Sequence, residues 1–305
     1  MQELLKKLLI ANKSLYTSGK VADYIPDLAK VDPKLFGIYV MDINNKEYAA
    51  GDYEIPFTIQ SISKVVTFIC ALIDCDFEKI SQTISVEPTA DGFNSISSLE
   101  IKNMHKPLNP MINAGAIATI PFIRGTTYNE KFIRIFDFMK VMTGNPDLSI
   151  NHSIYTSESL TGYRNRSLAY YMKSTGVING NIEELLDIYF RLCSVDVTCK
   201  DIATMGAVLA NNGIEVKNNT RIISKEICHI VKAVMSTCGL YNESGTFAAT
   251  VGIPVKSGVG GGILAVVPNG MGIGVFSPAL NDKGNSVAGM KLLLDLSREL
   301  DLSIY

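Results

Sequence analysis

Apolar side chains fall three or four positions apart over residues 2–16, 61–73, 131–142 and 181–193, which predicts helices there. Three more helices are expected behind cap residues. Thr198 has Asp201 three positions on and a stop at Asn211-Asn212-Gly213; Ser224 opens a segment that stops at Gly239; Ser286 opens one that runs to about residue 300. The pattern changes to alternation over residues 35–43, and residues 47–50 return behind the turn Asn44-Asn45-Lys46. Residues 255–267 and 271–276 flank Pro268-Asn269-Gly270, a second hairpin signal. The order is helix, hairpin, helix, a helical middle, hairpin, helix. This predicts an α/β (α+β) fold: an antiparallel sheet built from both chain ends and packed with terminal helices, plus a helical subdomain.

A chain of 305 residues is read as one domain over 1–305. Its sheet-containing part spans about 1–75 and 240–305, and its mostly helical part about 76–239. The net charge is −2, with no basic stripe, so no nucleic-acid partner is expected. No run approaches the ~18 apolar residues of a membrane span. The first residues interleave charges with leucines and lack the apolar core of an export signal. The six cysteines form no Cys-x-x-Cys pair and the three histidines are scattered. Reduced thiols in a cytoplasmic protein are expected, with no metal site and no cofactor.

Two short strings carry the chemistry. Ser61-Ile62-Ser63-Lys64 is the chain's only Ser-x-x-Lys, and Lys256-Ser257-Gly258 follows far downstream. Together they read as the nucleophile helix and facing strand of a serine-lysine acyl-transfer site. Residues three apart share a helix face. A helix N-terminus favours an alkoxide, and a desolvated Lys64 can accept the serine proton. The N–H of Val259 would supply half of an oxyanion hole. The glycines at 258 and 260–262 precede a strand rather than a helix, which argues against a phosphate loop. Taken singly, Tyr24, Asn113, Glu158, Asn165, Tyr189 and Tyr241 read as structural: Asn113 as a helix cap, Tyr189 as a core tyrosine.

Longer strings change that reading. Gly19-Lys20-Val21-Ala22-Asp23-Tyr24-Ile25-Pro26, Gln60-Ser61-x-x-Lys64, Asn109-Pro110-Met111-Ile112-Asn113-Ala114-Gly115-Ala116-Ile117, Leu192-Cys193-Ser194-Val195-Asp196-Val197-Thr198-Cys199 and Lys256-Ser257-Gly258-Val259 resemble the serine-dependent glutaminase family. The resemblance covers about residues 19–300. It implies a fold similar to serine β-lactamases and penicillin-binding proteins, and hydrolysis of L-glutamine to L-glutamate and ammonia. It makes Ser61 the nucleophile, Lys64 its partner, Tyr241 a proton-transfer group and Val259 an oxyanion donor. It places Tyr24, Ser61, Asn113, Glu158, Asn165, Tyr189, Tyr241 and Val259 around the substrate. Glu158 suits the ammonium of glutamine, and neutral Asn and Tyr donors suit its carboxylate. Residues 159–163 depart from some relatives, while Gly162, Arg164 and Asn165 keep the frame. The ankyrin repeats that follow this domain in animal relatives are not expected after Tyr305. A homodimer or homotetramer is implied. The rival readings are another serine-lysine amidase or β-lactamase-like hydrolase, and a non-catalytic glutamine-binding protein; ammonia release from glutamine separates them.

Overall fold

The computed structural model of the chain describes residues 1–97, 99–100 and 105–305. Helix α1 (Gln2–Asn12) tightens into a 3-10 segment over Lys13–Ser18, short of the regular helix expected to residue 16. Asn12 marks the change: its Nδ2 donates 2.9 Å to Leu8 O and 3.0 Å to Asp295 Oδ2 of the last helix. Strands β1 (Gly37–Asp42) and β2 (Glu47–Gly51) make the expected hairpin. Asp42 Oδ1 accepts from the N–H groups of Asn44 and Lys46 across the turn, and Asn45 takes the left-handed φ of 61°. The short strand β3 (Phe57–Thr58) leads to helix α2 (Ser63–Asp74).

The middle is helical: α3 (Phe77–Ser81), α4 (Asn113–Thr119), α5 (Tyr128–Thr143), α6 (His152–Thr161), α7 (Tyr163–Ser174) and α8 (Ile182–Cys193). Four of these carry no clear periodic pattern. Helix α4 is small-residue and buried on every side, so it has no polar face to reveal it; α3, α6 and α7 are short or largely polar. Strand β4 (Asp196–Val197) pairs with β3, a two-stranded ribbon the pattern does not show. Helices α9 (Cys199–Ala210) and α10 (Lys225–Cys238) begin at the caps read from the sequence. Thr198 and Asp201 form a capping box, and Ser224 accepts from Ile227 N–H.

After the short α11 (Ser244–Thr250), the expected strand over 255–267 is two strands, β5 (Val255–Ser257) and β6 (Gly262–Val267). A tight turn separates them: Gly258 N–H donates to Gly262 O, and Gly261 N–H to Gly258 O. Gly261 sits at φ +97°, and a Cβ there would stand 2.5 Å from Pro278 Cα. The glycine run is therefore a hairpin corner. Strand β7 (Met271–Phe276) and helix α12 (Val287–Leu300) follow as expected, the latter capped by Ser286.

The main sheet runs β2-β1-β7-β6-β5, antiparallel throughout, so its centre joins β1 to β7 from the far end of the chain. Alternation sends Ile38 and Val40 to one face with Leu5, Leu8, Leu292 and Leu296 of the terminal helices. Tyr39, Met41, Leu264 and Val266 face the helical core. There α9 presses on the strands. A Cβ on Gly272 would stand 2.1 Å from Ala203 O, and one on Gly274 2.1 Å from Cys199 O. Helix α2 lies deep in the helical core, with every residue from Ser63 to Leu72 buried. The turn just before it holds the nucleophile candidate at the edge of the sheet.

Candidate active site

Ser61 does not lie on the regular helix. It sits in a 3-10 turn over Gln60–Ile62, immediately before α2. Gln60 ahead of it holds φ +48°, an uncommon conformation for a side-chain-bearing residue. The pairing predicted for a shared helix face is nevertheless made: Lys64 Nζ donates 2.6 Å to Ser61 Oγ and 3.2 Å to Tyr189 OH. Lys64 is 1% exposed. Burial lowers its pKa, while Cys193 and Glu158 work to raise it.

The turn between β5 and β6 closes on this serine. A Cβ on Gly258 would stand 2.8 Å from Ile59 O and 3.4 Å from Ser61 N. The backbone carrying Val259 thus runs alongside the backbone of Ser61, an approach only glycine allows.

Ser61 opens into a cavity of about 80 Å³. Its lining includes Tyr24, Asn113, Glu158, Asn165, Tyr189 and Val259, all singled out in the sequence. Asn113 is the first residue of α4 and makes no cap hydrogen bond, so it is not the helix cap of the bland reading. Its Nδ2 instead donates 2.8 Å to Asn165 Oδ1 on α7. Glu158 on α6 is buried, and among the described residues its Oε2 and Asn113 Oδ1 have no hydrogen-bond partner. Burial pushes the Glu158 carboxyl up to about 7, against the pull of Lys64, Gln60 and Cys193. A buried carboxylate oxygen left without a partner is costly, and a cationic donor brought to it would satisfy it.

A larger cavity of about 690 Å³ lies outside the first and shares Tyr24, Phe93, Asn94 and Val259 with it. Tyr241 lines this outer space. Its hydroxyl donates 3.4 Å to Ser257 O. Burial pushes the phenol up to about 12, with hydrogen bonding to Ser61 and Ser257 pulling the other way. Tyr24 is half exposed at the rim.

The structure brings the nine sequence-derived positions, Lys64 included, to the two adjoining cavities or their walls. It also adds groups that the sequence analysis did not assign to the site. Gln60 and Arg164 line the inner cavity. The Cys193 thiol, pushed up to about 12 by burial, lies 4.0 Å from Ser63 Oγ. Gln60 and Cys193 both stand inside the strings that resemble the family, but neither was given a role there. Among the described residues there is no cluster of three or more metal-ligating side chains.

An antiparallel sheet flanked by terminal helices, with a serine and lysine at the start of a buried helix beside it, is the architecture of the serine β-lactamase-like hydrolases. Within that class the chain belongs to the glutaminase family, which it matches over residues 19–305. It is 52% identical over 305 residues to glutaminase 2 of Clostridium perfringens, covering 100% of both chains. It is 53% identical to a glutaminase of Clostridium tetani, again over 100% of both. A solved probable glutaminase from Bacillus subtilis complexed with 6-diazo-5-oxo-L-norleucine is 36% identical, with a TM-score of 0.91 over 99% of this chain and 95% of that one.

Proposed function

We propose that the chain hydrolyses the side-chain amide of L-glutamine, giving L-glutamate and ammonia, through an ester on Ser61. One observation carries this reading: the Ser61–Lys64 pair opens onto a cavity whose wall holds Glu158, with its Oε2 lacking a hydrogen-bond partner among the described residues. The Bacillus subtilis relative is complexed with a diazoketone that shares the amino-acid end of glutamine, which supports the same substrate here.

Ser61 Oγ attacks the amide carbon and its proton passes to Lys64. The oxyanion takes hydrogen bonds from the N–H groups of Ser61 and Val259. The C–N bond breaks as Tyr241 passes a proton to the departing nitrogen, and ammonia leaves. Water then attacks the γ-glutamyl ester, giving its proton to the same groups, and Ser61 Oγ regains a proton as the ester opens. The substrate's ammonium sits on Glu158; Asn113, Asn165, Tyr24 and Tyr189 hold the rest of its amino-acid end.

Glu158 and Lys64 are electrostatically linked. A substrate ammonium on Glu158 offsets the negative charge that keeps Lys64 protonated. Binding then favours the neutral lysine that the first step needs.

The active site lies between a sheet-containing part and a mostly helical part of one domain. Six free cysteines support the cytoplasm as its compartment, and the family resemblance supports assembly as two or four copies. Among the described residues no helix is long and apolar enough to cross a membrane. The deciding experiment is ammonia release from L-glutamine by the purified chain. Release that depends on Ser61 is expected; tight glutamine binding with no ammonia would make the chain a binding protein instead.

A further inference from the structure

A separate cavity of about 220 Å³ shares no lining residue with the two already described, yet Gly260, next to Val259, stands in its wall. The segment over residues 27–31, the β3-β4 ribbon, the start of α6 and the end of β7 enclose the rest. Leu28, Ile154, Phe57 and Phe276 give it apolar surface, the last two stacked with ring centroids 4.3 Å apart.

Three charged side chains line it: Asp27, Lys30 and Asp196. Two of them cancel. Lys30 Nζ donates to Asp27 Oδ1, and Ser153 Oγ donates to Asp27 Oδ2. Asp196 is left over, half-buried on β4. Among the described residues the only donor to its carboxylate is the Asn151 amide, with Nδ2 3.3 Å from each oxygen. One amide nitrogen shared at that distance leaves most of the acceptor capacity unused. Burial raises the Asp196 pKa, with only Asn151 pulling the other way. A half-buried carboxylate without a counter-charge is costly. An anion would meet two carboxylates and a lysine already engaged, so the cavity complements a monocation with an apolar body.

The same elements reach the active site. Leu28 and Ile154 belong to the small buried cluster that holds Val259. Gly260 is pressed against β3, where a Cβ on it would stand 2.8 Å from Thr58 O. Asn151 caps α6, accepting 3.1 Å from Ile154 N–H, and Glu158 lies two turns along that helix.

We propose that this cavity is an effector site for a small primary ammonium compound with an apolar body: the cation sits on Asp196, the body lies against Leu28 and Ile154, and the occupant braces the corner that carries Val259. Contacts from a bound body restrain the wall they touch, and an oxyanion donor acts best when it is held in place beforehand. The occupant should therefore act on kcat.

The probe is n-butylammonium chloride, with 1-butanol as the same body without charge and potassium chloride as the same ionic strength. Calorimetric titration should show saturable binding to the parent, at least about 10-fold tighter for the ammonium than for the alcohol. Asp196→Asn keeps the side chain's size and removes its charge. It should weaken binding about 10-fold or more, while kcat and KM for glutamine without the amine stay within about twofold of the parent. Val31→Phe fills the cavity with every charge retained and should weaken binding as much. It replaces the asparagine protein if that one is unfolded by circular dichroism. At saturation butylammonium should raise kcat of the parent about twofold or more and leave that of Asp196→Asn unmoved. An amine that merely captured the ester on Ser61 would act on both proteins alike. The kinetic arm rests on glutamine hydrolysis; the binding arm does not, so the two can fail separately. Glu158 is the rival carboxylate for an ammonium. Binding lost in Glu158→Gln and kept in Asp196→Asn would put the amine in the active site and overturn the proposal. So would the absence of saturable binding, binding that neither Asp196→Asn nor Val31→Phe weakens, or a kcat that does not move at saturation or moves equally with potassium chloride.

Discussion

Asn113 and Asn165, on different helices, orient each other: Asn113 Nδ2 donates 2.8 Å to Asn165 Oδ1 at the wall of the inner cavity. That bond points the Asn165 amide nitrogen away from Asn113. Asn165→Asp keeps the acceptor for Asn113 and removes the donor, adding a negative charge where a substrate carboxylate is expected. KM for glutamine should rise about 10-fold or more with kcat much less affected. Steady-state kinetics decide this, and an unchanged KM would take Asn165 out of carboxylate recognition.

Ser61→Ala should abolish ammonia release with Tm within about 2 °C of the parent, since one hydroxyl is a small packing change. Lys64→Arg should also be inactive. Arginine stays protonated and cannot accept the serine proton. An active arginine protein would leave Tyr241 as the base and reduce Lys64 to a fixed charge.

Glu158 couples stability to function with opposite signs. Its carboxyl is raised by burial from 4.5 to about 7. Between those values the folded chain holds a proton that the unfolded chain has released. Stability should therefore fall as pH rises from about 4.5 to about 7 and stay lower above. Glu158→Gln removes this cost, on the order of 3 kcal/mol, so at pH 8 its Tm should rise. Its kcat/KM for glutamine should nevertheless fall about 10- to 100-fold, because a charge-assisted bond to the ammonium contributes about 1.5–3 kcal/mol. For the parent, kcat/KM should decline below pH ~7 as Glu158 takes up its proton. Glutaramate, which lacks the amino group, should be a poor substrate for both proteins and should barely register the substitution. Equal losses on glutamine and glutaramate would place Glu158 away from the ammonium.

All six cysteines are free and five of them buried. Thiol titration of denatured, unreduced protein should count six. A reproducible count of four or fewer in protein protected from oxidation would contradict a reducing compartment.

The elements with their own periodicity or punctuation were readable directly. Thr198 with Asp201, Ser224, Ser286 and the turn at Asn269 announce themselves because caps and turns are local chemistry. The sheet's construction from both chain ends follows from where those elements lie. So does the meeting of Ser61 and Lys64, three residues apart. The glycine run from Gly258 was legible as extended and close-packed but not as a corner, because a turn and a glycine-rich strand share a composition. The corner is decided by Pro278 and Ile59, which arrive from elsewhere in the chain and leave no room for a Cβ. The same holds for the pocket. Asn113, Glu158 and Asn165 each look structural alone, and nothing in their spacing aims them at one point; the resemblance to a known family named them. Packing of α4, α6 and α7 against α8 then sets Asn113 against Asn165 and leaves Glu158 Oε2 without a partner among the described residues. Lys256 shows the division most clearly. Its sequence motif marked a strand beside the nucleophile, but only the fold sets Nζ between Gly239 O, Ser257 O and the Tyr241 ring. Hydrogen-bond partners and electrostatic neighbours depend on distance in space, which local sequence encodes only within a turn or a cap.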